Sequence, residues 1–97
     1  MKHRILLAPQ ALKDLKKLRA YDSAEVRSAI AKHLTGEPQH ARASRIKRLR
    51  GLAKPEYRLR VGDIRVFYDV IGGEVHILAI VKKLDAERWL SEEGERS

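Results

Sequence analysis

Ninety-seven residues suffice for one modest hydrophobic core and leave no room for a second, so the chain reads as a single domain over 1–97. Lysine and arginine number 21 against 13 acidic residues, a net charge of +8 that favours polyanionic partners: nucleic acid, an acidic protein segment or anionic lipid. Cysteine is absent, which excludes a disulfide framework, a thiolate nucleophile and a cysteine-built zinc site.

The opening MKHRILLAPQ carries an apolar run too short for a signal peptide. No segment approaches the ~18 apolar residues of a membrane span, so a soluble, cytoplasmic protein without a membrane partner is expected. Ile5 to Leu7 reads as a short strand, and Pro9 suits the first turn of a helix reaching about Arg19, with Ala8, Ala11, Leu12, Leu15 and Leu18 as its apolar stripe. Asp22 and Glu25 have the spacing of a capping box, predicting a second helix that turns Val26, Ala29, Ile30, His33 and Leu34 inward and stops at Gly36 and Pro38. So short a connection predicts an antiparallel helical hairpin. Gln39 to Ser44 is polar and aperiodic, a loop. Strands are then expected at Ile46 to Leu49, Tyr57 to Val61, Ile64 to Val70 and Val75 to Val81. Asp85 is expected to cap a last short helix carrying Trp89 and Leu90, closed by Gly94.

The stretch YRLRVGDIRVFYDVIGGEV sets the register. Gly62-Asp63 suits a type II′ hairpin turn, which places Val61 opposite Ile64, Arg60 opposite Arg65 and Arg58 opposite Phe67. Alternation then gives the core Tyr57, Leu59, Val61, Ile64, Val66, Tyr68 and Val70, and leaves Arg58, Arg60, Arg65, Phe67 and Asp69 on the other face. Carried into the next strand, it puts Val75, Ile77, Ala79 and Val81 on the core side. His76, Leu78, Ile80 and Lys82 fall with the arginines, His76 across from Asp69 as its structural partner. Like charges opposite one another destabilise a strand pair by a few tenths to about 1 kcal/mol. Arg60 facing Arg65 is therefore a local fault, with two readings: a bound anion neutralises both, or the arginine stems cover Phe67 and Leu78 while their heads reach water. On this register Arg65→Ala is expected to leave stability unchanged or slightly higher.

Residues 42–65 carry nine basic side chains against Glu56 and Asp63, a concentration that fits a groove for a phosphate backbone. Residues 84–97 swing acidic. Neither paired carboxylates, a Gly-rich phosphate loop nor a His/Asp/Glu metal spacing is present, so no cofactor and no metal are expected.

The segment LRGL…PEYRLRVGDIRVFYDVIGGEVHILAIVKK resembles the RelE/ParE superfamily of type II toxin-antitoxin toxins, the RelE branch above all, over nearly the whole chain. The resemblance implies an α+β fold of RelE type: an N-terminal strand and helical hairpin packed on a twisted, mainly antiparallel four- to five-stranded sheet, with a short C-terminal helix. It also implies a ribosome-dependent mRNA interferase, a metal-independent endoribonuclease using 2′-hydroxyl attack, whose partners are mRNA on the ribosome and a cognate antitoxin. Carried over by position, its catalytic residues are Arg58, Arg60 and Arg65, with Lys82 as a candidate acid or base. Lys47, Arg48, Arg50, Lys54 and Lys83 are the expected RNA-binding set. The chain departs from the branch in one respect: Trp89 and Leu90 stand near where a proton-transferring tyrosine is usual. Two alternatives follow, a ParE-like poison of DNA gyrase and a catalytically inactive toxin-fold binding protein.

Overall fold

A computed structural model describes residues 2–40 and 45–96. Strand β1 (Arg4–Leu7) leads into helix α1 (Pro9–Lys17), which Pro9 opens at its first turn. Leu18 and Arg19 are extended, and α2 (Ala20–Leu34) follows. Helix α2 starts two residues before the expected capping box. Arg19, at the N-cap, has no side-chain cap, and Asp22 lies in the first turn, 3.5 Å from the Arg19 guanidinium. Leu18, at the break between the helices, is extended and packs partly buried against the core. Helix α1 rests mainly on the sheet strand β6 and α2 on β4, whose spans follow.

Strands β2 (Ile46–Arg48), β3 (Leu52–Lys54), β4 (Tyr57–Val61), β5 (Ile64–Ile71) and β6 (Glu74–Lys82) precede α3 (Lys83–Glu93) and the two-residue β7 (Glu95–Arg96). Five strands form a mixed sheet in the order β1-β6-β5-β4-β2, in which only the β1–β6 pair is parallel. Strands β3 and β7 pair separately and were not foreseen in the sequence. Of the loop read over Gln39–Ser44, residues 41–44 lie outside the described residues, Arg42 among them.

The hairpin register is as expected: Val61 faces Ile64, Arg60 faces Arg65 and Arg58 faces Phe67. Gly62 has φ +57° while Asp63 has no positive φ, as a type II′ turn requires. On the helix side, Ala11, Leu15, Val26, Ile30 and Leu34 meet Leu59, Val61, Ile64, Val66, Tyr68, Val75 and Ile77 in one core. Tyr57 and Tyr68 stack there at 5.5 Å, and the Tyr68 hydroxyl donates to the Pro38 carbonyl at 2.6 Å. Burial holds that phenol well above the usual tyrosine range.

Strict alternation fails once. Phe67 pairs with Ala79 but Tyr68 pairs with Ile77, so Leu78 is an extra residue on β6, a bulge. Beyond it the sides exchange. Ile80 enters the core at 3% exposure, Ala79 and Val81 lie across from Phe67 and Arg65, and Lys82 pairs with Ile64 at the end of the strand. The Ile80 N–H donates to Asp14 Oδ2 at 3.0 Å, so α1 clasps β6 just past the bulge.

Helix α3 packs on β5 and β6 from the face opposite α1 and α2, with Trp89 stacked on Phe67. Its N-cap is Lys82, without a side-chain cap, and Asp85 sits in the first turn, 3.3 Å from Arg88. The hairpin meets the first amide of the helix instead: Lys83 N–H donates to the Asp63 carbonyl at 2.7 Å. Gly94 ends the helix as expected, its N–H donating to Leu90 O. Among the described residues no helix is long and apolar enough to cross a membrane.

Candidate functional site

Between α3 and the β2–β4–β5 face lies an open hollow of about 860 Å³. Its basic lining comes from separate elements: Lys47 on β2, Arg58 on β4, Arg65 on β5, and Lys82 and Lys83 at the β6–α3 junction. Lys47 faces Arg58 across the β2–β4 pair, and Arg58 faces Phe67. Phe67 is 1% exposed, because the Trp89 ring stacks over it at 5.0 Å and 5°. Its principal cover is thus an indole supplied by α3, not the arginine stems. Leu49, Leu84 and Leu90 make the rest of the wall apolar, and Asp22, Asp63 and Glu87 mark its rim.

Two guanidinium groups in this hollow are under electrostatic tension. Burial, then the charges of Arg65 and Arg60, push Arg58 below the ordinary arginine range. Burial and Arg60 do the same to Arg65, with Asp63 opposing them. Arginine keeps its proton regardless, so this tension is one that a bound anion, and not titration, would relieve. Arg58 Nε is buried and has no hydrogen-bond partner among the described residues. Arg65 is 8% exposed, and its Nη1 donates to the carbonyls of Gly62 at 2.8 Å and Ile64 at 3.1 Å. It therefore braces the turn that carries it, a structural duty that register alone did not reveal.

The sequence matches the model of the ParE toxin of type II toxin-antitoxin systems over residues 5–86. The chain is a RelE/ParE superfamily toxin. No curated relative matches its sequence. Similar solved structures include a free mutant of the E. coli toxin RelE (23% identity, TM-score 0.71, covering 95% of this chain and 94% of that one). A RelB–RelE antitoxin–toxin complex from Methanococcus jannaschii matches at 20% identity and TM-score 0.68, covering 87% and 96%. A toxin–antitoxin complex from Mycobacterium tuberculosis matches at 24% and 0.64, covering 84% and 99%. These likenesses establish the RelE-type α+β fold.

Of the side chains singled out in the toxin's sequence, Lys47, Arg58, Arg65, Lys82 and Lys83 line the hollow. Arg60 does not, although its charge reaches both Arg58 and Arg65. Arg48 pairs with Tyr57 on the core side of the sheet edge, its guanidinium 6.0 Å from that ring's centre. Arg50 lines a second, smaller hollow, and Lys54 lies on β3. His76 stands opposite Asp69 as expected but bonds elsewhere: its Nε2 is 3.0 Å from Glu74 Oε1, while Asp69 Oδ1 accepts the Glu56 N–H at 2.8 Å. Arg19 and Asp22 reach the hollow from the α1–α2 junction, a contribution that no local pattern in the sequence announces. Among the described residues no three His, Asp or Glu side chains gather closely enough to hold a metal ion.

Proposed function

We propose that the toxin is a metal-independent mRNA interferase acting in the cytoplasm on ribosome-bound mRNA. The observation that carries this reading is the convergence of Arg58 and Arg65 in one hollow, both destabilised as cations by burial and by neighbouring guanidinium charge and so suited to a phosphate. In the reaction a ribose 2′-oxygen bonds to the adjacent phosphorus and the bond from phosphorus to the 5′-oxygen breaks, leaving a cyclic phosphate and a 5′-hydroxyl. The 2′-hydroxyl proton passes to a base and the 5′-oxygen receives one from an acid. Arg58 and Arg65 hold the nonbridging oxygens as negative charge builds on them, and Arg60 adds its field from beside Arg65. Fixed donors of this kind contribute several kcal/mol to a transition state. Trp89 is engaged with Phe67 and cannot exchange the protons, so Lys82 at the β6–α3 junction is assigned to proton transfer.

A cognate antitoxin neutralises the toxin by laying an acidic, amphipathic segment over the hollow. The solved antitoxin–toxin complexes of this fold support such a partner, as does the mixture of cations with Leu49, Leu84 and Leu90. Inducing the toxin alone and mapping mRNA ends tests the main reading: new ends should appear within translated frames. Intact mRNA with gyrase-linked DNA breaks would replace it with the second reading, a gyrase poison, which the ParE family match and the absence of a tyrosine at Trp89 favour.

A further inference from the structure

Strands β3 and β7 have only three and two residues, yet their pairing has a definite effect. Leu52 is in register with Arg96, which brings the end of the chain beside the β2–β3 turn and closes a second hollow of about 290 Å³ containing Arg50, Ser91 and Arg96. The close approach depends on Gly94. A Cβ there would stand 2.5 Å from the Leu90 carbonyl oxygen and 3.3 Å from Leu52 Cδ2, so any other residue would prise the helix end from β3. Arg50 and Arg96 are exposed, and despite Glu92, Glu93 and Glu95 nearby in sequence neither has an ion-pair partner among the described residues. Leu90 lines both hollows, the first with Arg58 and Arg65 and the second with Arg50 and Arg96.

We infer that the second hollow is a further phosphate subsite, which takes the backbone of a single-stranded nucleic acid as it leaves the first hollow over Leu90. Arg50 and Arg96 grip the phosphate and the Ser91 hydroxyl donates to it. The inference rests on the first hollow's being a phosphate site. Its two arginines are brought together by the β3–β7 pair, so the C-terminal residues act in substrate binding rather than as a mere tail.

Binding of 2′-deoxy oligonucleotides, which resist cleavage, tests this with a dinucleotide that fills one hollow and a hexanucleotide that spans both. Each phosphate contact on a single strand adds about 0.7 to the slope of log affinity against log salt. Arg50→Ala/Arg96→Ala should leave the dinucleotide unaffected, weaken the hexanucleotide about tenfold and lower its slope by about 0.7, one phosphate contact. Arg50→Lys/Arg96→Lys should keep the slope, while Arg58→Ala should weaken both ligands. Unchanged hexanucleotide affinity in the double alanine variant, with Arg58→Ala still weakening both, would overturn the subsite and spare the first hollow. No effect of Arg58→Ala would overturn the reading of the first hollow and the subsite with it. Loss of antitoxin affinity with oligonucleotide binding intact would make Arg50 and Arg96 protein contacts and overturn the subsite.

Discussion

Replacing Arg65 by alanine sets two effects against each other. The guanidinium of Arg65 donates to the carbonyls of Gly62 and Ile64, and hydrogen bonds from a charged donor contribute about 1.5–3 kcal/mol each when both partners are buried. Gly62 is exposed, so water replaces that donor cheaply, whereas Ile64 is 6% exposed and its carbonyl loses more. Against this, removal ends the repulsion from Arg60, about 0.2–1 kcal/mol for a directly opposed pair, and frees a cation that burial disfavours. The hydrogen bonds win by about 1–2 kcal/mol. At about 4–8 °C per kcal/mol for a domain of this size, the melting temperature should fall by about 5–15 °C. Far-UV circular dichroism during heating, with urea titration to check that the m-value is unchanged, gives the measurement. An unchanged or higher melting temperature would show that repulsion dominates and that the bracing bonds contribute nothing.

Asp14→Ala should cost about 1–2 kcal/mol, because the Ile80 N–H loses its acceptor beside the core, and Asp14→Asn should restore most of it; urea denaturation and amide exchange at Ile80 check both. Asp69 is 6% exposed, and burial raises its carboxyl above the usual value more than the Glu56 N–H lowers it. The folded state therefore holds the proton more tightly, and wild-type stability falls as pH rises from the unfolded value, about 3.9, through the higher folded one. Asp69→Asn should melt higher than wild type at pH 7, and the gain should vanish once the pH drops below about 3.9, as paired thermal scans would reveal. Trp89→Ala should cost about 2–3 kcal/mol by stripping the cover from Phe67, and Trp89→Phe should recover most of that in chemical denaturation.

The central hairpin was legible because Gly62-Asp63 fixes the turn and alternation fixes the faces, so the juxtaposition of Arg58, Arg60 and Arg65 followed from local chemistry. The bulge at Leu78 was not, for a physical reason. VHILAIV is apolar in both phases, so an extra residue leaves no mark on the hydrophobic pattern while changing the side of Ile80. Asp22 and Glu25 have the capping-box spacing, but α2 begins at Ala20, just after Leu18 has packed against the core, with both acids already inside the helix. Strands β3 and β7 are too short for any periodicity to show. Register also says which face a side chain takes and nothing about what covers that face. Hence Arg65 and Phe67 were placed correctly while their burial, under α3 and against the turn, went unread.

Trp89 is the sole tryptophan of the chain, and it stacks on Phe67 where α3 meets the sheet. Of the three tyrosines, Tyr57 and Tyr68 are buried on the opposite side of the sheet and Tyr21 is exposed on α2. Light absorbed only by indole therefore excites a single reporter whose emission depends on its contact with Phe67. An antitoxin segment that lifts α3 would wet the ring and shift its emission to the red, whereas an oligonucleotide that leaves the stack closed would alter intensity without that shift. The unlabelled protein thus carries its own optical means of telling a bound protein segment from a bound nucleic acid.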